Sequence, residues 1–427
     1  MPYGKTKNHA VALLVLFLFI AVRACAGLLT ADWEPYGPAG DVPGMLSVSV
    51  TGGNVSRDLF VPLAVKEIRK NASVRNGAKL EIKKRIIAPD YVPAGRSDGI
   101  LAWVTIKGSG FKTVAGPVLV RINNLEANDL GEADRLYVSN SPELLTCGGI
   151  LLDGAMRKRE SVRYLLHHKN GIEENMNLIF NIANTGNIKA KLVLVEGDPS
   201  KGESEMIVGH LPAVEFMKNS RDSVGRIIEL EPGSRTAIHR IKLRAGEIIS
   251  GVGELHMIDG EQVEFEIKAL EPSVTEVTRK NNIGNSNSIR GHGVFGKPVV
   301  EIEEEFVIGG RWKFIGIGDD PLENLDDGNT ALKGNYGVTY HIRVAVINDS
   351  GRAEKAQLHF SPVSGPARGT LIVDGELFKL GVCKPPRTRK VKAFWVGPYE
   401  KKMIDVMIMP ESGSFYPVRL VFMARKI

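Results

Sequence analysis

Three groups of side chains in this 427-residue chain could do chemistry: histidines, a run of aspartates, and a few aromatic rings. His167 and His168 are adjacent, and His210 lies in Val208-Gly209-His210-Leu211-Pro212. Neighbours on a strand point to opposite faces, so the pair chelates one ion only if the strand bulges. Zinc takes about three or four nitrogen, sulfur or carboxylate ligands, and no spacing here supplies them. His168 is in register with Val162, Tyr164 and Leu166 and reads as a core histidine, whereas His167 falls with Arg163 on the other face. His210 reads as a loop residue, a candidate general base with no identifiable partner.

The aspartates are Asp319 and Asp320, in Gly318-Asp319-Asp320-Pro321, and Asp326 and Asp327, in Asn324-Leu325-Asp326-Asp327-Gly328-Asn329. Calcium prefers about six to eight oxygens from such residues, so these four are the candidate metal ligands and calcium the one possible cofactor. The alternate-residue order of an EF-hand loop is missing, and turn formation explains the same composition. Two carboxylates flanking a cleft would also suit a glycosidase. The aromatic group supplies a different chemistry. Trp103, Trp312 and Trp395 lie in or near strands, with Trp33 nearer the N-terminus. Exposed rings stack on sugars, although core burial is the commoner fate of such residues. Trp312, Trp395, Tyr336 and Asn335 are the candidate ligand-binding residues. Gly334-Asn335-Tyr336-Gly337 also reads as a bend in which Tyr336 ties its hydroxyl to a neighbouring loop, as corner tyrosines do.

No Gly-x-Ser-x-Gly, His-Glu-x-x-His or Cys-x-x-Cys occurs. Gly108-Ser109-Gly110 and Gly251-Val252-Gly253 lack the strand–loop–helix setting of a nucleotide fingerprint. The catalytic reading is weakened but not excluded, because convergent sites need no linear motif.

The elements that must hold these residues are strands. Apolar residues alternate at Val162, Tyr164 and Leu166, at Val338 to Val346, at Ile404 to Ile408 and at Val418 to Phe422. Met176 to Ile182 and Ile188 to Leu194 alternate on either side of Asn184-Thr185-Gly186-Asn187, the pattern of an antiparallel hairpin. Helical periodicity is scarce; Ala213 to Lys218 could make a turn or two. Each apolar strand face needs a second layer. The expected fold is all-β: tandem antiparallel β-sandwich domains with a small N-terminal β domain after a signal peptide. The expected divisions are a signal peptide at 1–26, a flexible leader at 27–45 and a small β domain at 46–130. Sandwiches follow at 131–275 and 297–427, joined by a linker or long loop at 276–296.

The signal reading rests on Lys5 and Lys7, an apolar run from Ala10 to Val22, and Ala24-Cys25-Ala26. A helix of that run reaches only about 20 Å, short of a bilayer core of about 30 Å. Cleavage after Ala26 and a secreted or cell-envelope location are expected, with no stable membrane span afterwards; lipidation at Cys25 is the alternative. Removing Lys5, Lys7 and Arg23 halves the formal charge of +6, which leaves no footprint for nucleic acid. Lys384 to Lys392 is the one dense basic stretch, a solvated loop or a contact for an anionic polymer. Two cysteines remain, Cys147 and Cys383, and an exported chain with so few does not depend on a disulfide framework. Asn54, Asn71 and Asn348 head glycosylation triplets.

Two segments carry a resemblance. Ser139-Asn140-Ser141-Pro142-Glu143 precedes Gly149-Ile150-Leu151-Leu152 and then His167-His168, and Gly334-Asn335-Tyr336-Gly337-Val338 comes later. The combination resembles a family of exported cyanobacterial proteins of unknown function, over roughly residues 135 to 425. The spacers differ, and residues 46 to 130 have no counterpart. The resemblance implies export and no particular chemistry. The leading functional expectation is a non-catalytic exported β protein that binds or organises an envelope or extracellular component such as polysaccharide. The alternatives are a secreted hydrolase of envelope polymers, using the aspartate loop or His210, and a structural or assembly component.

Overall fold

The computed structural model describes residues 37–126, 130–141, 143–271, 293–326, 328 and 330–424. The expected signal peptide lies outside the described residues. Compact units divide at Ala127/Asn128. In the first, β1 (Met45–Thr51), β2 (Lys79–Ile82), β3 (Arg96–Lys107) and β4 (Val114–Leu125) form a sheet in the order β1-β4-β3-β2. Only the β1–β4 pair is parallel. A helix, α1 (Arg57–Asn71), buries Phe60, Ala64 and Ile68. Steps of four place them on one helical stripe, a period that the strand reading of this domain missed. The described part of the expected leader is tied down rather than loose: Ala39 is fully buried and Gly40 pairs with Val74.

The second unit holds two sandwiches. The first comprises β5 (Arg135–Ser139), β6 (Gly149–Arg157), β7 (Ser161–Asn170), β8 (Met176–Asn184), β9 (Ala190–Gly202), α2 (Glu205–Arg221), β10 (Gly225–Leu230), β11 (Arg235–Leu243), β12 (Ile248–Asp259) and β13 (Gln262–Leu270). With β14 (Gly293–Phe295) at one edge, its sheets run β14-β5-β7-β12-β9-β10 and β6-β13-β8-β11. The second comprises β15 (Val299–Val307), β16 (Lys313–Ile317), β17 (Thr339–Ile347), β18 (Glu354–Pro362), β19 (Ala367–Val373), β20 (Glu376–Cys383), β21 (Arg389–Val396), β22 (Lys401–Ile408) and β23 (Val418–Ala424). Its sheets run β15-β17-β22-β19-β20 and β16-β23-β18-β21. The all-β, tandem-sandwich expectation therefore holds for this unit.

The sandwiches share a core. Leu136, Val138, Leu165, Val193 and Val252 of the sheet that contains β7, with Phe216 of α2, cluster with Ile342, Ile372 and Leu420 of the second sandwich. This sheet is covered on both faces, and nine of the ten residues of β7 are buried. Close approach at the seam needs glycine: a Cβ on Gly209 of α2 would overlap the Ser412 carbonyl.

Three expectations fail here. Residues 176–194 form no hairpin: β8 pairs with β11 and β13, whereas β9 pairs with β10 and β12 in the opposite sheet. Both runs point apolar side chains into one core, which alternation cannot distinguish from pairing with each other. The turn or two at Ala213 is a 17-residue helix. Residues 293–295 of the expected linker form β14, because Phe295 has a fully buried place to fill; residues 276–292 lie outside the described set.

The chain crosses between sheets by one repeated device. Asn170, Asn184 and Asn348 each stand at a strand end before such a crossing. Each accepts the amide two residues on through its side-chain oxygen, and donates its amide nitrogen to the carbonyl four residues on. Each also donates to a distant strand end: Leu243, Leu230 and Val396, respectively. A crossing leaves carbonyls without ladder partners, and buried ones must be satisfied. Asn348, buried in this role, is not available for glycosylation in the folded chain, while Asn54 and Asn71 are exposed.

Candidate functional site

The histidines are largely sealed. His168 is fully buried, its Nε2 2.8 Å from Ser139 Oγ, which donates its own proton to Leu151 O. The contact has the composition of a nucleophile–base pair and no route to solvent. His167 is also buried, and burial lowers its affinity for a proton, opposed by Glu143 and Glu205. His210 stands on α2 and not in a loop; the tightly packed helix seals it. Its Nδ1 lies 2.7 Å from Glu411 Oε2, and Thr370 Oγ1 donates to Glu411 Oε1 at 2.6 Å. These three histidines form no metal-holding group among the described residues.

Two further ionic clusters have no linear signature. Arg163 Nη2 meets Glu254 Oε1 at 2.6 Å, and His256 Nε2 lies 3.0 Å from Glu254 Oε2. Arg163 Nη1 reaches Pro298 O, Gly337 O and Thr339 Oγ1, tying β7 to the second sandwich. Glu196 accepts from Tyr164 Oη at 2.7 Å and lies 2.8 Å from His239 Nε2. Burial pushes each carboxyl up, but Arg163 and His256 at Glu254, and His239, Arg226 and Tyr164 at Glu196, outweigh it and bring both down to about 2. These clusters place paired charge in the interior.

Asp319, Asp320 and Asp326 are exposed, and Asp327 lies outside the described residues. Amides shape their loop: Asn335 Nδ2 donates to Asp320 O and Tyr340 Oη, and Asn335 Oδ1 accepts from Leu322 N. Asn324 Oδ1 accepts from Asp326 N. The described aspartates form no metal-holding group. Asn335 is fully buried, which removes it as a ligand contact. Tyr336 donates its hydroxyl to Ser414 O at 2.7 Å and stacks edge-on against Tyr416, the structural alternative for this residue.

The remaining two candidates share a surface. Trp312 is 56% exposed and Trp395 59% exposed. Trp312 leads into β16, its ring centroid 6.4 Å from that of Phe314. In register, Phe314 opposes Val421, Val421 opposes His359, and His359 opposes Lys390. One row away Met423 opposes Gln357 and Gln357 opposes Ala393; next, Lys355 opposes Trp395. Ile315, Leu358, Phe360, Leu420 and Phe422 alternate with these residues into the core. Trp312, Phe314 and Trp395 therefore stand on the open face of one sheet, toward its two edges. Three strand steps at about 4.8 Å separate the edges by roughly 15 Å. The charged side chains of that face in this register are Lys355, Lys390 and Arg419, all basic. The Lys355 ammonium lies 5.4 Å from the Trp395 ring centroid. Burial and Lys390 both disfavour protonation of His359, whose ring nitrogens lie 3.3 Å from Thr388 Oγ1 and 3.0 Å from Gln357 Oε1. Trp103 belongs to β3 of the first unit, with Lys83 5.3 Å from its ring centroid.

No family model and no curated protein matches the chain. Solved structures similar to it include the M60 catalytic domain with CBM51 domains of ZmpB from Clostridium perfringens, at 7% identity and TM-score 0.18, covering 81% of this chain and 43% of that one. The PBSX exported protein XepA is 12% identical with TM-score 0.16, covering 65% of this chain and 86% of that one. The CBM22 tandem of Xyn10C from Paenibacillus barcinonensis is 9% identical with TM-score 0.14, covering 83% of this chain and 92% of that one. The chain thus spans less than half of the first of these.

Proposed function

We propose that this is an exported, non-catalytic β-sandwich protein that binds an acidic polysaccharide across the open face of β16-β23-β18-β21. One observation carries the reading: exposed aromatic rings stand toward both edges of a single sheet face whose charged side chains are all basic. Sugars present apolar faces to rings and hydroxyls to Gln357 and His359. Carboxylate or sulfate groups pair with Lys355, Lys390 and Arg419. Protein side chains around such a ligand would lose mobility, so a rigid sheet is a better platform than a loop.

Affinity electrophoresis of the full chain in polygalacturonate and in neutral glucan tests this. Retention is expected in the acidic polymer, falling as salt rises. Trp312→Ala and Trp395→Ala should each weaken it about fivefold to tenfold. Lys355→Gln with Lys390→Gln should flatten the salt dependence. Retention unchanged by both tryptophan substitutions would remove the platform. Equal retention in acidic and neutral gels would remove the charge selectivity. Export through residues 1–26 belongs to the same proposal: mature protein should begin at Gly27.

A further inference from the structure

We propose that Glu132, Glu301 and His341 form a zinc-binding site that pins one sandwich to the other. Glu301 on β15 and His341 on β17 are direct partners in a parallel ladder. Their chain neighbours Ile302, Tyr340 and Ile342 pack into the core, so Glu301 and His341 share the outer face. Glu132 arrives from the first sandwich, on the segment entering β5. Its carbonyl accepts from Ser161 Oγ at 3.1 Å, and the next residue, Ala133, is fully buried. The position of Glu132 is therefore set by its own sandwich, and its side chain reaches over to the other.

One ligand atom from each residue lies within 4.8 Å of the other two. Glu132 Oε1 is 3.1 Å from His341 Nε2. Bonds of about 2.0–2.2 Å around a tetrahedral zinc put ligand atoms roughly 3.4 Å apart, within reach of small side-chain rotations. Glu132 Oε2 is shielded from solvent and faces the Lys297 ammonium at 3.2 Å, on a mostly exposed side chain free to swing away. A divalent ion would take the place of that ammonium and balance two carboxylates. The donor set selects the ion: one imidazole and two carboxylates suit zinc, whereas calcium wants about six or more oxygens. Glu301 and His341 also line a groove of about 640 Å³ with Arg343, Asp405 and Met407. A fourth coordination position would open toward it.

The test is equilibrium dialysis of the chelator-treated full chain against zinc chloride, with thermal unfolding in parallel. One zinc per chain and a raised melting temperature are expected. Glu132→Gln, Glu301→Gln and His341→Gln should each lower affinity at least about tenfold. Glu301 is exposed, so Glu301→Gln keeps the fold and separates ligand loss from misfolding. Absence of stoichiometric zinc overturns the proposal. So does a loss confined to His341→Gln, which would mark a lone surface histidine, or affinity unchanged in Glu301→Gln.

Discussion

The seam between the sandwiches and the open face of β16-β23-β18-β21 differ in a way that reverses first impressions. The seam holds the side chains that look reactive: Arg163, Glu254, His256, His210 and Glu411, each buried and each hydrogen-bonded to a neighbour. The open face holds side chains that look like core: Trp312, Phe314 and Trp395, each more than half exposed. Charge placed inside must be paired, and then it orders the packing of its surroundings. Large rings left outside contribute little to the core, and in the function proposed above they are the contact surface.

Substitutions can break or sharpen this contrast. The largest effect should come at the seam. Glu254→Ala leaves the Arg163 guanidinium buried without its carboxylate, and should cost about 3–5 kcal/mol in urea unfolding. Acid should act next. Glu196 and Glu254 ionise near 2 in the folded chain, against about 4.3 when unfolded. Depressed carboxylates stabilise fully above the unfolded value and lose that contribution as pH falls through the folded one. Stability should therefore drop between about pH 4.5 and pH 2, by a few kcal/mol. Glu196→Gln should flatten that drop; an unchanged profile would detach it from this carboxylate. Asn348→Ala strips three carbonyls of their partner at one crossing and should cost about 2–3 kcal/mol by the same unfolding measurement. The smallest change should be on the open face. Trp312→Ala and Trp395→Ala should shift stability by no more than about 0.5 kcal/mol while reducing polysaccharide retention. A large loss of stability in either would show that the ring belongs to the core.

Much of the second sandwich was legible, because Val338 to Val346 and Val418 to Phe422 alternate cleanly and lie where expected. Trp312 and Trp395 were identifiable as rings near strands. Their common face was not, because it depends on the register of β16 and β21 through two intervening strands. Asn335 is closed to a ligand for a related reason: its amide is consumed by Asp320, Leu322 and Tyr340, a closure invisible in a Gly-Asn-Tyr-Gly bend. His210 reads as a loop residue because Pro212 follows two positions on, yet α2 accommodates that proline within its length. Asn170, Asn184 and Asn348, each ending an apolar run just before a turn, carry the sequence signal of these crossings.

The amino-acid order alone determined that strands would form and which of their faces would be greasy, since alternation is a property of neighbours along the chain. Tertiary structure decided which sheet each strand joined, which histidines were sealed, and which tryptophans met water. Those outcomes depend on what packs against the second face of a sheet, and that partner comes from far along the chain.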